Sequence, residues 1–147
     1  ADESMQQRLY SNMQSEHLLA NDYLQLFRIL AGSKTAGAES VAGEMEQLGN
    51  NNPFFEDGIL EAAAFFNEQL GDPDQAYEIL LNSVNLNPFS IPLNQAYALQ
   101  CLRVGLTSYA TDTMEELRSM MPSAMFQTFE SKFLELMQEI ESKSADW

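Results

Sequence analysis

The chain is poor in the residues that carry most protein chemistry. Among its 147 residues there is one cysteine, one histidine and one tryptophan, and 7 basic residues stand against 22 acidic ones. With Cys101 alone, an intrachain disulfide and a cysteine-rich metal site are both excluded. The single thiol fits the cytoplasm somewhat better than the periplasm, and an oxidising compartment stays compatible with it. His17 has no second histidine to join it, so a histidine-based metal site or catalytic triad lacks its parts. Nucleic-acid binding and adhesion to anionic membrane surfaces both need clustered Lys and Arg, which a net charge of −15 opposes. That charge favours a basic partner, or serves solubility alone. No run approaches the roughly 18 uninterrupted apolar residues of a membrane span. The opening residues Ala1-Asp2-Glu3-Ser4 have no signal-peptide pattern.

Phosphate-binding loops are missing as well: no glycine-rich run leads into Lys-Ser/Thr, and no G-x-G-x-x-G occurs. Asp72 and Asp74 flank Pro73 without the further oxygen ligands of a calcium loop, and helix capping explains them. The acidic pairs Glu115-Glu116 and Glu139/Glu141 read as solvated helix faces. No cofactor, metal or catalytic residue is expected, and the chain is not expected to be an enzyme. The eight methionines read as core filling ahead of a promiscuous binding surface.

What is present is a repeat. A 45% hydrophobic chain of this length can build one compact domain. Gly37, Gly71 and Gly105 are spaced 34 apart, as are Ala42, Ala76 and Ala110, while Pro53, Pro88 and Pro122 follow at 35 and 34. Glycine after an apolar run stops a helix because it accepts a positive φ, and proline closes the next one. The alanine five residues after each glycine allows two helices to approach closely. One period therefore reads helix, glycine turn, helix, proline turn.

The runs between these markers have helical spacing. Ile59, Ala63, Phe66 and Leu70 share one face, as do Ala76, Leu80 and Val84, then Leu93, Ala96, Tyr97 and Cys101, then Met114, Leu117 and Met121. Cys101 thereby falls on an apolar face as a buried structural thiol, with Arg103 about 200° away around the helix. Asp72 with Pro73 marks one helix start, and Thr107 or Ser108 is the expected cap 34 residues on. Met5, Leu9 and Met13 form one N-terminal stripe and Leu19, Tyr23, Leu26, Phe27 and Leu30 another, read as two helices separated near Ser15. Ala31 to Ala38 is the most loop-like stretch. Phe126, Phe129, Phe133, Leu136, Met137 and Ile140 give the last helix, from Ser123 to about Ser142, a broad apolar face. Gln127, Glu130, Lys132, Glu135, Gln138, Glu139 and Glu141 make its outer face polar.

A two-helix repeat of 34 residues resembles the tetratricopeptide repeat. The match is best between Phe54 and Pro122, where Gly71, Ala76 and Pro88, and again Gly105, Ala110 and Pro122, stand at the family's spacing, and Tyr77, Leu80 and Leu81 look like its second-helix packing residues. The last repeat departs from the family's aromatic signature, with Asn94, Tyr97-Ala98 and Cys101 in those places. The resemblance implies an all-α fold of antiparallel helical hairpins stacked in a right-handed superhelix. The expected divisions are an N-terminal helical segment 1–17, a degenerate repeat 18–53, repeats 54–88 and 89–122, and a capping helix 123–144.

In that family the first helix of each pair lines a concave surface that holds a peptide or helix of a partner. The resemblance therefore points to Glu61, Phe65, Glu68, Asn94, Gln95, Leu99 and Arg103 as partner-binding candidates, with Phe65 and Leu99 open to the alternative of packing between repeats. The clamp of Lys, Arg and Asn that some members use on a peptide carboxylate is not expected, since only Arg103 and Asn94 are available. Two functional readings stand. The first is a scaffold or adaptor holding a protein or peptide, basic by charge, in its groove. The second is an accessory or oligomerisation domain of a larger protein that works through its end helices.

Overall fold

The computed structural model describes the backbone of residues 3–145 and the side chains of residues 20–144. All regular structure among the described residues is helical. Seven α-helices follow one another: α1 (Glu3–Ala36), α2 (Ala42–Asn51), α3 (Glu56–Glu68), α4 (Pro73–Leu86), α5 (Ile91–Arg103), α6 (Thr107–Met120) and α7 (Ser123–Ala145), with a 3₁₀ turn at Ala38–Val41.

The helices form two rows. Each packs on its successor, and α1–α3, α3–α5 and α5–α7 also touch along one side while α2 touches α4 along the other. Hydrogen bonds between residues 34 apart tie successive turns together. The Tyr23 hydroxyl donates to the Asp57 carboxylate and the Ser90 hydroxyl to that of Glu56. Asn87 Nδ2 donates to the Pro53 carbonyl at 3.2 Å. The period in the sequence is thus also a period in contact: equivalent positions of neighbouring repeats lie side by side.

The glycine markers do what their spacing predicts. Gly37, Gly71 and Gly105 are the three glycines with positive φ, at 94°, 59° and 82°. Gly105 closes α5 with a Schellman pair, in which its own N–H donates to the Leu102 carbonyl at 3.2 Å and the Leu106 N–H to that of Cys101 at 2.8 Å. Ala76 and Ala110 are fully buried at their helix crossings, whereas Ala42 is half-buried. The predicted faces are also inside: Ile59, Ala63, Phe66, Leu80, Leu93, Tyr97, Cys101, Met114, Leu117, Phe126, Phe129 and Phe133 all belong to one continuous core. Burying a side chain such as Ile59 or Leu117 contributes about 1.5–3 kcal/mol.

Three local expectations need correction. The N-terminal region is one unbroken helix and not two, because nothing at Ser15-Glu16-His17 is a proline or glycine that would end it; the side chains of Met5, Leu9, Met13, His17 and Leu19 lie outside the described residues. The stretch from Ala31 is helical through Ala36. Gly32 sits in that helix where a Cβ would come within 3.2 Å of Val41 Cγ1, so its lack of a side chain serves packing and not a turn. Neither Thr107 nor Ser108 caps α6. The N-cap is Leu106, which the Schellman turn of α5 already holds, and Thr107 becomes the first helical residue. Asp72 does cap α4, accepting from the Gln75 N–H at 3.1 Å.

Candidate partner-binding groove

The row α3, α5 and α7 lines three adjoining clefts. One of about 550 Å³ lies between α3 and α5, over Leu60, Ala63, Ala64, Ala96 and Leu99. A second, of about 520 Å³, lies between α5 and α7 and shares Leu60, Ala96 and Leu99 with the first, adding Met125 and Phe129. A third, of about 190 Å³, runs on from Leu99 between Arg103 on α5 and Lys132, Glu135 and Glu139 on α7. Leu99 belongs to all three, so they form one groove across the helices, with an apolar floor and a polar rim.

The alanines make the depth. Ala63 and Ala64 on α3 face Ala96 on α5 across the first cleft, and larger side chains there would fill it. Its end is closed by amides. Asn67 Nδ2 donates to Gln100 Oε1 at 2.7 Å, and Gln100 Nε2 donates back to Asn67 Oδ1 at 2.9 Å and to the Pro73 carbonyl at 2.8 Å. Pro73 opens α4, so the fully buried Gln100 ties α3, α4 and α5 at one point. A buried amide this well satisfied is rigid, and removing one partner would strand the others.

Arg103 rests on the same pair, its guanidinium donating to Gln100 Oε1 at 3.1 Å. Partial burial draws the Arg103 pKa below its ordinary value, and the carboxylates of Glu68 and Glu139 work against that shift. An arginine keeps its charge at neutral pH in either case. Arg103 and Lys132 therefore place two cations on the rim of a groove in a strongly acidic protein.

The seven residues expected at the partner surface divide. Glu68, Gln95, Leu99 and Arg103 line the groove, while Glu61 is exposed on α3 and lines none of its three clefts. Phe65 does not present itself to a partner: it is 3% exposed and packs edge-on against Phe66 with ring centres 5.8 Å apart. Asn94 is likewise buried. Its Nδ2 donates to the Pro88 carbonyl at 2.9 Å and the Ser90 carbonyl at 2.7 Å, fastening the start of α5. Asn94 borders a different cleft, of about 360 Å³, between α4 and α6.

The larger omission is α7. Lys132, Glu135 and Glu139 were expected on the outer, water-facing side of a cap, and they form the groove's third wall. The signal was in the register: Ser123 stands 34 residues after Phe89, which puts α7 where the first helix of a further repeat would be. Glu130 is half-buried and pairs with Arg118 at 3.7 Å, and the Arg118 guanidinium lies 5.1 Å from the centre of the Phe126 ring.

Elsewhere the reactive groups are quiet. Cys101 is fully buried, and burial raises its thiol pKa while the hydrogen bond with Tyr97 lowers it less, which keeps it protonated. Tyr97 is held well above the ordinary tyrosine range by burial first and then by its contacts with Tyr77 and Cys101. No group of three or more His, Cys, Asp or Glu side chains placed to hold a metal occurs among the described residues. No described helix is long and apolar enough to cross a membrane. No protein-family model, curated protein or solved structure matches the chain.

Proposed function

We propose that this chain is a binding module of the tetratricopeptide-repeat type, which holds a peptide or helix of a partner protein in the groove of α3, α5 and α7 and performs no chemical step of its own. The observation that carries this reading is the continuity of the groove through Leu99, with an apolar floor of Leu60, Ala96 and Phe129 and charged groups of both signs along its rim. An extended segment laid across three helices would bury apolar side chains on that floor and meet Glu68 from α3, Arg103 from α5, and Lys132, Glu135 and Glu139 from α7. The 34-residue register, the positive-φ glycines and the two helix rows support a superhelical stack of this family's kind.

The rim is mixed in sign, so the groove selects by pattern more than by net charge, while the −15 of the whole chain speeds the approach of a basic partner. The test is capture of a partner by the intact chain. Leu99→Glu should abolish it, because an unpaired carboxylate would sit on the apolar floor, whereas Glu78→Lys on the exposed face of α4 should leave it intact. Equal capture by both variants would refute the groove.

A further inference from the structure

The cleft of about 360 Å³ between α4 and α6 shares no lining residue with the groove. From α5 it is lined by Asn94, 4% exposed, and Tyr97, 8% exposed. Asn94 Nδ2 donates to the Pro88 and Ser90 carbonyls, which fixes the amide, while its Oδ1 accepts from no protein donor. Among the described residues no side-chain nitrogen or oxygen is sealed from solvent without a partner, so this oxygen opens onto the cleft it borders. It is a buried acceptor, held in place and left without a donor.

Two further acceptors line the same cleft. Asp112 and Glu116 stand one turn apart on α6, and neither forms an ion pair among the described residues. Like charges at that spacing repel each other until a cation joins them. Leu81 and Val84 on α4 and the rings of Tyr97 and Tyr109 supply apolar surface beside them. This combination selects among ligands. An anion would meet two carboxylates. A calcium ion needs about six or more oxygen ligands, and no group of three or more His, Cys, Asp or Glu placed to hold a metal occurs among the described residues. An ammonium group has three donors and no acceptor, which matches Asn94 Oδ1 and the two carboxylates, and an aliphatic stem suits the apolar and aromatic walls. We propose that the α4–α6 cleft binds a primary alkylammonium group, carried by a lysine side chain of a protein or by a free amine.

The probe is n-butylammonium chloride, titrated into the full chain at constant ionic strength and followed by the Asn94 side-chain amide signals in nuclear magnetic resonance. These should shift saturably. Asp112→Asn and Glu116→Gln keep size and shape on an exposed helix face, and each should weaken binding about fivefold. Leu99→Glu in the groove should leave it unchanged, so this site and the groove stand or fall separately. Tetramethylammonium, which has no N–H to donate, should bind more weakly than n-butylammonium. A short peptide with one central lysine separates the sources: binding at least as tight as that of n-butylammonium points to a protein lysine, and weaker binding points to a free amine. No saturable shift at Asn94, binding indifferent to both α6 variants, or tetramethylammonium binding as tightly as n-butylammonium would each overturn the proposal.

Discussion

Helices α2 and α4 pack closely, and α4 and α6, one repeat further on, do not come within 8 Å of each other at any Cα pair. The register lets the two junctions be compared residue by residue. At the first, Gly49 of α2 meets Ile79 of α4, and a Cβ on Gly49 would lie 2.8 Å from Ile79 Cγ2. Thirty-four residues on, the same places are held by Ser83 and Thr113. Both are buried and both turn their hydroxyls back onto their own helices, Ser83 to the Ile79 carbonyl at 2.7 Å and Thr113 to the Tyr109 carbonyl at 2.8 Å. A glycine facing a large branched side chain draws two helices together. Two short polar residues that satisfy themselves leave them apart, and the cleft of about 360 Å³ over Tyr97 and Asn94 is the space that results. The repeat is therefore regular along the groove side and irregular along the other.

The contrast can be broken from its strongest point downward. Ile79→Ala should cost about 2–5 kcal/mol, since it removes a fully buried side chain that fills the α2–α4 junction, and urea unfolding should show it as a lowered midpoint at unchanged slope. Gly49→Val should cost about 1–3 kcal/mol by overpacking the same junction, read in the same way. A small destabilisation, near that of a surface substitution, would mean that the helices separate easily and that the first junction is no tighter than the second. The helix starts give the smallest effect. Asp72→Ala should cost about 1 kcal/mol through loss of the cap on the Gln75 N–H, whereas Thr107→Ala should change little because Thr107 caps nothing.

The parts of this architecture that sequence revealed are those set by short-range rules. A glycine that must take a positive φ, as at Gly71 and Gly105, announces a turn whatever surrounds it, and Asp72-Pro73 announces a helix start for the same reason. The misses arose where tertiary contact decides. Gly32 has the appearance of a breaker and lies inside α1, where Val41 comes so close that a Cβ would crowd it. Thr107 has the chemistry of a cap and lost the position to Leu106, which ends the preceding turn. In the groove, the family resemblance pointed to Glu68, Gln95, Leu99 and Arg103, and these four do line the clefts. Phe65 stood open between groove and core, and its burial against Phe66 decides for the core. The place of Asn94 was not legible, because its side chain donates to the Pro88 and Ser90 carbonyls, which the turn before α5 brings within reach. Lys132 escaped because the last helix was read as a lid over the stack, when it extends the groove.

The groove of α3, α5 and α7 is the surface on which the proposed function rests. It is tested most directly by placing a photo-reactive amino acid at position 99 and, in a second protein, at position 78 on the outer face of α4, then irradiating each with its captured partner. The groove account predicts a cross-link from position 99, mapped to one contiguous partner segment, and none from position 78. A cross-link from position 78 with none from position 99 would contradict it.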